Sequence, residues 1–173
     1  RVINEDYIQG GMGFPTHPHR DMEIITYVID GELAHKDTLG SSSVIRPGEV
    51  QYMCAGTGVQ HSEFNASNER TAHLLQIWII PNRRGFPPSY AQKDFSENLK
   101  SRDLVLTVSP DGRDGSIAIH QDMDLYAAKW PAGRQATLRL RQPHAWVQLV
   151  SGDLSIGNEA LKPGDGAAIA DET

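Results

Sequence analysis

The sequence predicts an all-β protein built from two related β-barrels. Three observations carry this. Strand-like runs recur roughly every 8–12 residues between turn signals. The 16 glycines and 10 prolines in 173 residues are spread along the chain, which favours turns over long helices. The second half also echoes the first: Asp30-Gly31-Glu32-Leu33 and Arg46-Pro47-Gly48-Glu49-Val50 return as Ser151-Gly152-Asp153-Leu154 and Lys162-Pro163-Gly164-Asp165. A repeated supersecondary unit is the simplest account of that echo.

Taken in order, Glu23 to Asp30 reads as a strand ending at the Asp30-Gly31 turn, with Glu32 to Lys36 returning. Leu39 to Ser43 is a turn, Ser43 to Arg46 a strand, and Pro47-Gly48 a further turn. Glu49 to Met53, Val59 to Phe64 and the long apolar run Ala72 to Ile80 complete the first set of strands, with the Ala55-Gly56-Thr57-Gly58 loop among them. Between Pro81 and about Arg102 the texture changes. Pro81, Pro87 and Pro88 break regular structure, and Gln92 to Leu99 is expected as a short helix in a surface connector. Strand texture resumes at 104–108, 116–120, 124–130, 136–140 and 145–150. The expected division is therefore an N-terminal metal-binding barrel over 1–85, a connector over 86–102, and a C-terminal barrel over 103–173.

Composition excludes several classes of function. The net charge of −6, with no basic cluster to offset it, argues against nucleic-acid and anionic-membrane binding. No apolar run approaches the roughly 18 residues needed to cross a bilayer. The single cysteine, Cys54, rules out an internal disulfide and fits a reducing, cytoplasmic compartment. The chain begins at Arg1 without Met and stops at Thr173 directly after a strand-like segment, which reads as truncation at both ends.

The chemistry is concentrated in two short motifs. His17-Pro18-His19 and His61-Ser62-Glu63 each place two ligand-type side chains at i and i+2, which leave the same face of a strand. Three imidazoles and a carboxylate suit iron, zinc, nickel or copper. The set contains no Cys, unlike most structural zinc sites, and an ion that favours six ligands would keep two positions open on it.

The runs His17 to Glu32 and Pro47 to Glu63 resemble the signature of the pirin family of the cupin superfamily, most closely its bacterial quercetin-dioxygenase branch. The likeness is strong from Val2 to about Tyr90 and fainter beyond. It implies two cupin-type jelly-roll barrels, a bicupin. It also implies one divalent metal, most often Fe(2+), with Zn, Cu, Ni or Mn as alternatives, on His17, His19, His61 and Glu63. The implied activity is that of a quercetin 2,3-dioxygenase-like oxidoreductase: oxidative ring cleavage of a flavonol by dioxygen with release of carbon monoxide, Glu63 taking the substrate's proton. The alternative that the family carries is a non-enzymatic, iron-dependent redox-sensing regulator acting through protein partners.

Two departures from the general cupin pattern are informative. Where most cupins place a ligating Glu five residues after the second His, this chain has Ile24, and Glu23 lies one residue early. A one-residue slip on a strand reverses the face, so Glu23 is not counted as a ligand. Pirins commonly carry Gly-Phe after His-Pro-His-Arg, where this chain has Asp21-Met22; this is expected to alter the pocket rim and leave the ligands intact.

The remaining candidates are weighed individually. Phe14 resembles an aromatic pirin residue that lines the metal pocket, and ordinary core is the other reading. Gln76 interrupts an apolar strand and needs partners, either in the core or behind a ligand. His35 is expected to be solvent-exposed or hydrogen-bonded at a strand edge, a place behind the metal ligands being the alternative. His73 reads as structural, while His120 and His144 stand alone, so the second barrel is expected to lack a metal. Cys54 reads as an inert buried thiol.

Overall fold

The computed structural model describes residues 2–170. Contacts divide the chain between Arg134 and Gln135, and each unit is described by itself. The first unit contains twelve strands and one short α-helix: β1 (Val2–Ile8), β2 (Gly13–His19), β3 (Glu23–Asp30), β4 (Leu33–Asp37), β5 (Ser42–Ile45), β6 (Glu49–Cys54), β7 (Val59–Asn65), β8 (Ala72–Ile79), β9 (Ser89–Asp94), α1 (Ser96–Ser101), β10 (Val105–Ser109), β11 (Ile117–Ala118) and β12 (Leu125–Ala127).

Two sheets enclose its interior. One has the order β1-β8-β3-β6-β9 and the other β2-β7-β4-β5, with antiparallel pairing throughout. Alternation along the strands fixes what each face carries. On β3, Ile24, Thr26 and Val28 face the second sheet, while Glu23, Ile25 and Tyr27 face away.

The interior is layered along the strands. At one end Ile8, Val28 and Leu74 meet Leu33 and Ile45 of the second sheet. At the other, Ile24, Met53, Ala55 and Val59 pack together with Met22 and Trp78 against them. Between these apolar layers lies a polar one. Gln76, Thr26 and Gln51 stand side by side across three strands of the first sheet, and Glu63 and His35 are neighbours on the second.

The opposite face of the first sheet has its own core. Ile25, Val50, Tyr52, Cys54 and Ile79 pack against Phe86, Phe95, Leu99, Val105, Val108, Ile117 and Ile119. Glu23 sits on this side, fully buried, and accepts hydrogen bonds from the Tyr52 hydroxyl (2.6 Å) and from the backbone N–H groups of His120 (2.7 Å) and Gln121 (3.0 Å). The parity argument against Glu23 as a ligand therefore agrees with its position: it is an acceptor that ties residues 120–121 to β3.

The second unit, described from 135 to 170, holds two antiparallel ribbons: β13 (His144–Gln148) with β16 (Gly166–Ala170), and β14 (Leu154–Ile156) with β15 (Glu159–Leu161). Gly166 is required there, because a Cβ would lie 2.1 Å from the Trp146 ring on the paired strand.

Three local expectations are corrected. Gln92 to Asp94 extend β9, and the helix covers only Ser96–Ser101, because pairing with β6 claims those residues first. Residues 136–140 are not a strand, and the alternation Ala136 to Leu140 is exposed or half-buried with no partner strand. Val2–Ile8, whose mixed polar pattern gave no strand signal, pairs along its whole length with β8.

Removing the Glu23 carboxylate as E23A leaves one buried donor, the Tyr52 hydroxyl, and two half-buried backbone N–H groups without their acceptor, at about 1 kcal/mol or more each. The expected result is a loss of about 3 kcal/mol or more in urea unfolding, with the metal content of the folded protein unchanged. A drop in bound metal at unchanged stability would return Glu23 to the ligand set.

Candidate metal centre

The site is built from β2, β7 and β4. His17 and His61 are direct cross-strand partners, so the two sequence pairs meet face to face. A bulge between Phe14 and His17 sets two residues of β2, Pro15 and Thr16, against one of β7, Ser62. It also brings the Pro15 carbonyl to His17 Nδ1 at 2.7 Å. A carbonyl only accepts, so Nδ1 carries the proton and Nε2 is the lone-pair nitrogen.

The ring centres of His17, His19 and His61 lie 4.4–4.9 Å apart, and one nitrogen from each falls within 4.8 Å of the others. His61 is buried, whereas His17 and His19 are half-buried, and Trp78 stands edge-on to His19. Glu63 belongs to a second group with His35 and His61, one ligand atom of each again lying within 4.8 Å of the others, so His61 is common to both. The structure therefore brings His17, His19 and His61 together and sets Glu63 beside His61 and His35, with His61 as the link between the two groups.

Glu63 is held from one side. Gln76 donates from Nε2 to Glu63 Oε2 (2.9 Å), and its own Oε1 accepts from Trp78 Nε1 (2.8 Å), which fixes the amide orientation. Burial raises the Glu63 carboxyl above its usual range, against the lowering influence of the Gln76 bond and of His35 and His17. Phe14 stands opposite Glu63 in the β2–β7 register and is 40% exposed.

His35 differs from its expected exposure. Its side chain is fully buried, as is that of Asp37, and Nε2 lies 3.0 Å from Asp37 Oδ2. Leu33, His35 and Asp37 share one face of β4, and pairing with β7 turns that face inward. His73 bonds Glu5 (2.8 Å) and stacks on Tyr7. Cys54 is buried on the face turned away from the site, its thiol pushed up by burial and then by Glu23. Asp21 takes φ +49°, which explains the family's usual glycine there, and its carboxylate accepts from the Gly85 N–H (2.8 Å).

The residues fit a divalent transition metal. Seven buried side-chain atoms have no hydrogen-bond partner among the described residues: His19 Nε2, Thr26 Oγ1, His35 Nδ1, Gln51 Oε1, both nitrogens of His61, and Glu63 Oε1. At about 1–3 kcal/mol each, such atoms would cost about as much as a domain's whole net stability of roughly 5–15 kcal/mol. Imidazole and carboxylate lone pairs in this density are what a borderline cation satisfies. Burial, then the charge of His17, holds His19 down at about 4. Burial, then His17, His19 and His35, holds His61 at about 3, so both rings are neutral donors at pH 7.

A double-layered β-barrel with a histidine and carboxylate cluster between its sheets defines a cupin metal centre. The comparisons with known proteins narrow this. The Pirin family profile matches residues 1–79, and that of the "Quercetinase C-terminal cupin domain" matches 106–173. The Escherichia coli protein named quercetin 2,3-dioxygenase is 44% identical over 173 residues, covering 99% of this chain and 74% of that one. The crystal structure of the bacterial pirin YhhW from Escherichia coli in complex with nickel(II) superposes with a TM-score of 0.92 at 43% identity, covering 99% of this chain and 73% of that one. The YhaK structure from Escherichia coli gives 0.84 at 28% identity, covering 99% and 76%. This chain belongs to the pirin family, and it is quercetin 2,3-dioxygenase-like along nearly its whole length.

The histidine shifts set a pH dependence. Between about 4 and 6.5 the unfolded chain binds protons that folded His19 and His61 refuse, so stability rises with pH and is lost as pH falls through that window. Glu63 acts oppositely: its raised carboxyl contributes stability at low pH that is lost as pH rises above 4.5 through its folded value. The thermal midpoint of metal-free protein is expected to fall from pH 7 to pH 5, and more steeply in E63Q. A flat profile in both would contradict neutral buried imidazoles.

Proposed function

We propose that this protein is a metal-dependent dioxygenase of the pirin type, acting on a flavonol or similar enolic aromatic with dioxygen as the oxidant and carbon monoxide as a product. The observation that carries the reading is the pair of ligand groups joined at His61, one of His17 and His19 and the other containing Glu63, in a chain that matches a quercetin dioxygenase along its length. His17, His19 and His61 would hold the ion, Fe(2+) being our reading, with Glu63 as the carboxylate of the set. When bound there, such an ion supplies Lewis acidity and redox chemistry toward dioxygen.

The chain's own residues do the rest. Glu63 Oε1, free of protein partners, accepts the proton of the substrate's enolic hydroxyl. Gln76 holds the other carboxylate oxygen, so that the accepting oxygen keeps one orientation. Ile24, Met53 and Val59 keep the neighbouring layer dry, and Phe14 at the rim offers an aromatic face. The ion belongs to the N-terminal barrel, proposed as 1–85, with the barrel over 103–173 carrying none. The chain's single buried thiol supports a reducing, cytoplasmic setting. No helix among the described residues is long and apolar enough to cross a membrane.

The test is oxygen uptake and carbon monoxide release with quercetin by iron-loaded protein. E63Q is expected to keep most of its bound metal and to lower turnover by about 100-fold or more, the upper part of the usual range for a lost general base. Turnover by the wild type with unchanged turnover in E63Q would remove the base role. Absence of turnover with any flavonol, alongside oxidation-dependent binding of a protein partner, would replace the enzyme by a redox-sensing regulator.

A further inference from the structure

His35 and Asp37 lie beyond the four residues of the proposed centre, yet they are among its most buried polar groups. Asp37 is fixed by three donors. Its Oδ1 accepts from the backbone N–H groups of Leu39 and Ser41 at 2.9 Å each, and its Oδ2 faces His35 Nε2 at 3.0 Å. Burial raises the Asp37 carboxyl, but these bonds outweigh it and leave the group ionised below its usual range. An ionised carboxylate only accepts, so His35 Nε2 carries a proton. A single proton on Nε2 leaves Nδ1 as a lone pair inside the polar layer, where it has no partner among the described residues.

His61 presents the complementary need. Both its nitrogens are buried and unpartnered. A neutral imidazole that gives its lone pair to a metal must carry N–H on its other nitrogen, and a buried N–H requires an acceptor. Two unpartnered acceptors stand on the residues grouped with His61, Glu63 Oε1 and His35 Nδ1, one ligand atom of each of the three residues lying within 4.8 Å of the others. The first is committed to the ion or the substrate proton. The His35 and His61 ring centres are 5.3 Å apart, close to the roughly 5 Å of two imidazoles joined by one N–H···N bond of about 2.9 Å.

We propose that His35 is a positioning residue of the metal centre: locked by Asp37 in the Nε2–H tautomer, it accepts the non-ligating N–H of His61 and so fixes which nitrogen of His61 faces the ion. This rests on the reading of His61 as a metal ligand. It also makes a specific statement about Asp37. In D37N the amide oxygen must stay on the Leu39 and Ser41 N–H groups, so the amide NH2 turns toward His35 Nε2. That forces His35 into the Nδ1–H tautomer, donor against donor with His61, without a change in side-chain shape.

The experiment combines two readouts on the full chain. Nitrogen-15 spectra of histidine-labelled, metal-free protein report the tautomer of His35, expected as Nε2–H in the wild type and Nδ1–H in D37N. Competition with a chromophoric chelator reports the affinity for Ni(2+) alone. D37N and H35L are expected to bind about 10- to 100-fold more weakly. H35Q, whose amide can still donate to Asp37 and accept from His61, is expected to stay close to wild type. If H35Q loses as much affinity as H35L, His35 is a direct ligand and the proposal fails. If D37N and H35L fold less stably but bind Ni(2+) as the wild type does, the pair is only structural and the proposal also fails. A wild type with no measurable affinity sinks the metal-centre reading itself, and the role of His35 with it.

Discussion

The constraint on which this structure depends is a surplus of lone pairs locked between two apolar layers. The interior of the first barrel does not grade from core to site. It is apolar at one end, apolar at the other, and polar across the middle, where Gln76, Thr26 and Gln51 confront Glu63, His35 and His61. A polar slab in such a position is tolerable only when nearly every acceptor meets a donor. The protein itself meets part of that demand, through Gln76 on Glu63 and Asp37 on His35. What it leaves unmet is concentrated on imidazole nitrogens and one carboxylate oxygen, the atoms that a transition metal prefers. The apolar layers hold the inner members, His61 and Glu63, because these cannot reach water without opening a packed core at either end, while His17 and His19 stand half-buried at the mouth.

One sheet serves two cores, and strand parity keeps them separate. Along β3 the even positions Ile24, Thr26 and Val28 line the barrel, and the odd positions Glu23 and Ile25 support the elements packed behind it. Two carboxylates, Glu23 and Glu63, are both 0–2% exposed in the same unit and have opposite roles. Glu23 accepts from one hydroxyl and two backbone donors, with both oxygens engaged, so it is held as a structural acceptor. Glu63 receives one bond to one oxygen, and the other oxygen is kept for work. Burial alone does not identify a functional carboxylate; the count of donors around it does.

How far the sequence revealed this follows from the same alternation. His17, His19, His61 and Glu63 were legible because i,i+2 spacing on a strand is a local rule, and Glu23 was excluded by that rule. The strands of the first sheet that carry apolar or strictly alternating patterns, Glu23–Asp30 and Ala72–Ile79, were legible for the same reason. His35 was not, because Ala34-His35-Lys36-Asp37 has polar residues on both faces, and only the pairing of β4 with β7 shows which face is inside. The strand Val2–Ile8 was hidden likewise: its Asn, Glu and Asp residues sit at a sheet edge, where pairing with β8 replaces hydrophobic burial as the ordering force. Residues 136–140 failed in the other direction. Their alternation has no neighbouring strand among the described residues to pair with, and alternation without a partner is not a strand.

The charge arrangement then narrows the kind of ion. His19 and His61 contribute donor atoms and no charge, since burial holds both neutral well below neutral pH. The negative charges in the polar layer are Glu63 and, behind His35, Asp37. A divalent ion against these two carboxylates leaves the slab close to neutral, whereas a site without a cation would bury one carboxylate against a set of acceptors and raise its pKa, the direction in which Glu63 is displaced. A monovalent ion would leave one negative charge buried, and a hard divalent ion such as Mg(2+) would exchange its water oxygens for imidazole nitrogen at a loss. Charge and donor softness thus select the same class, a first-row divalent transition metal, from two independent properties of the residues.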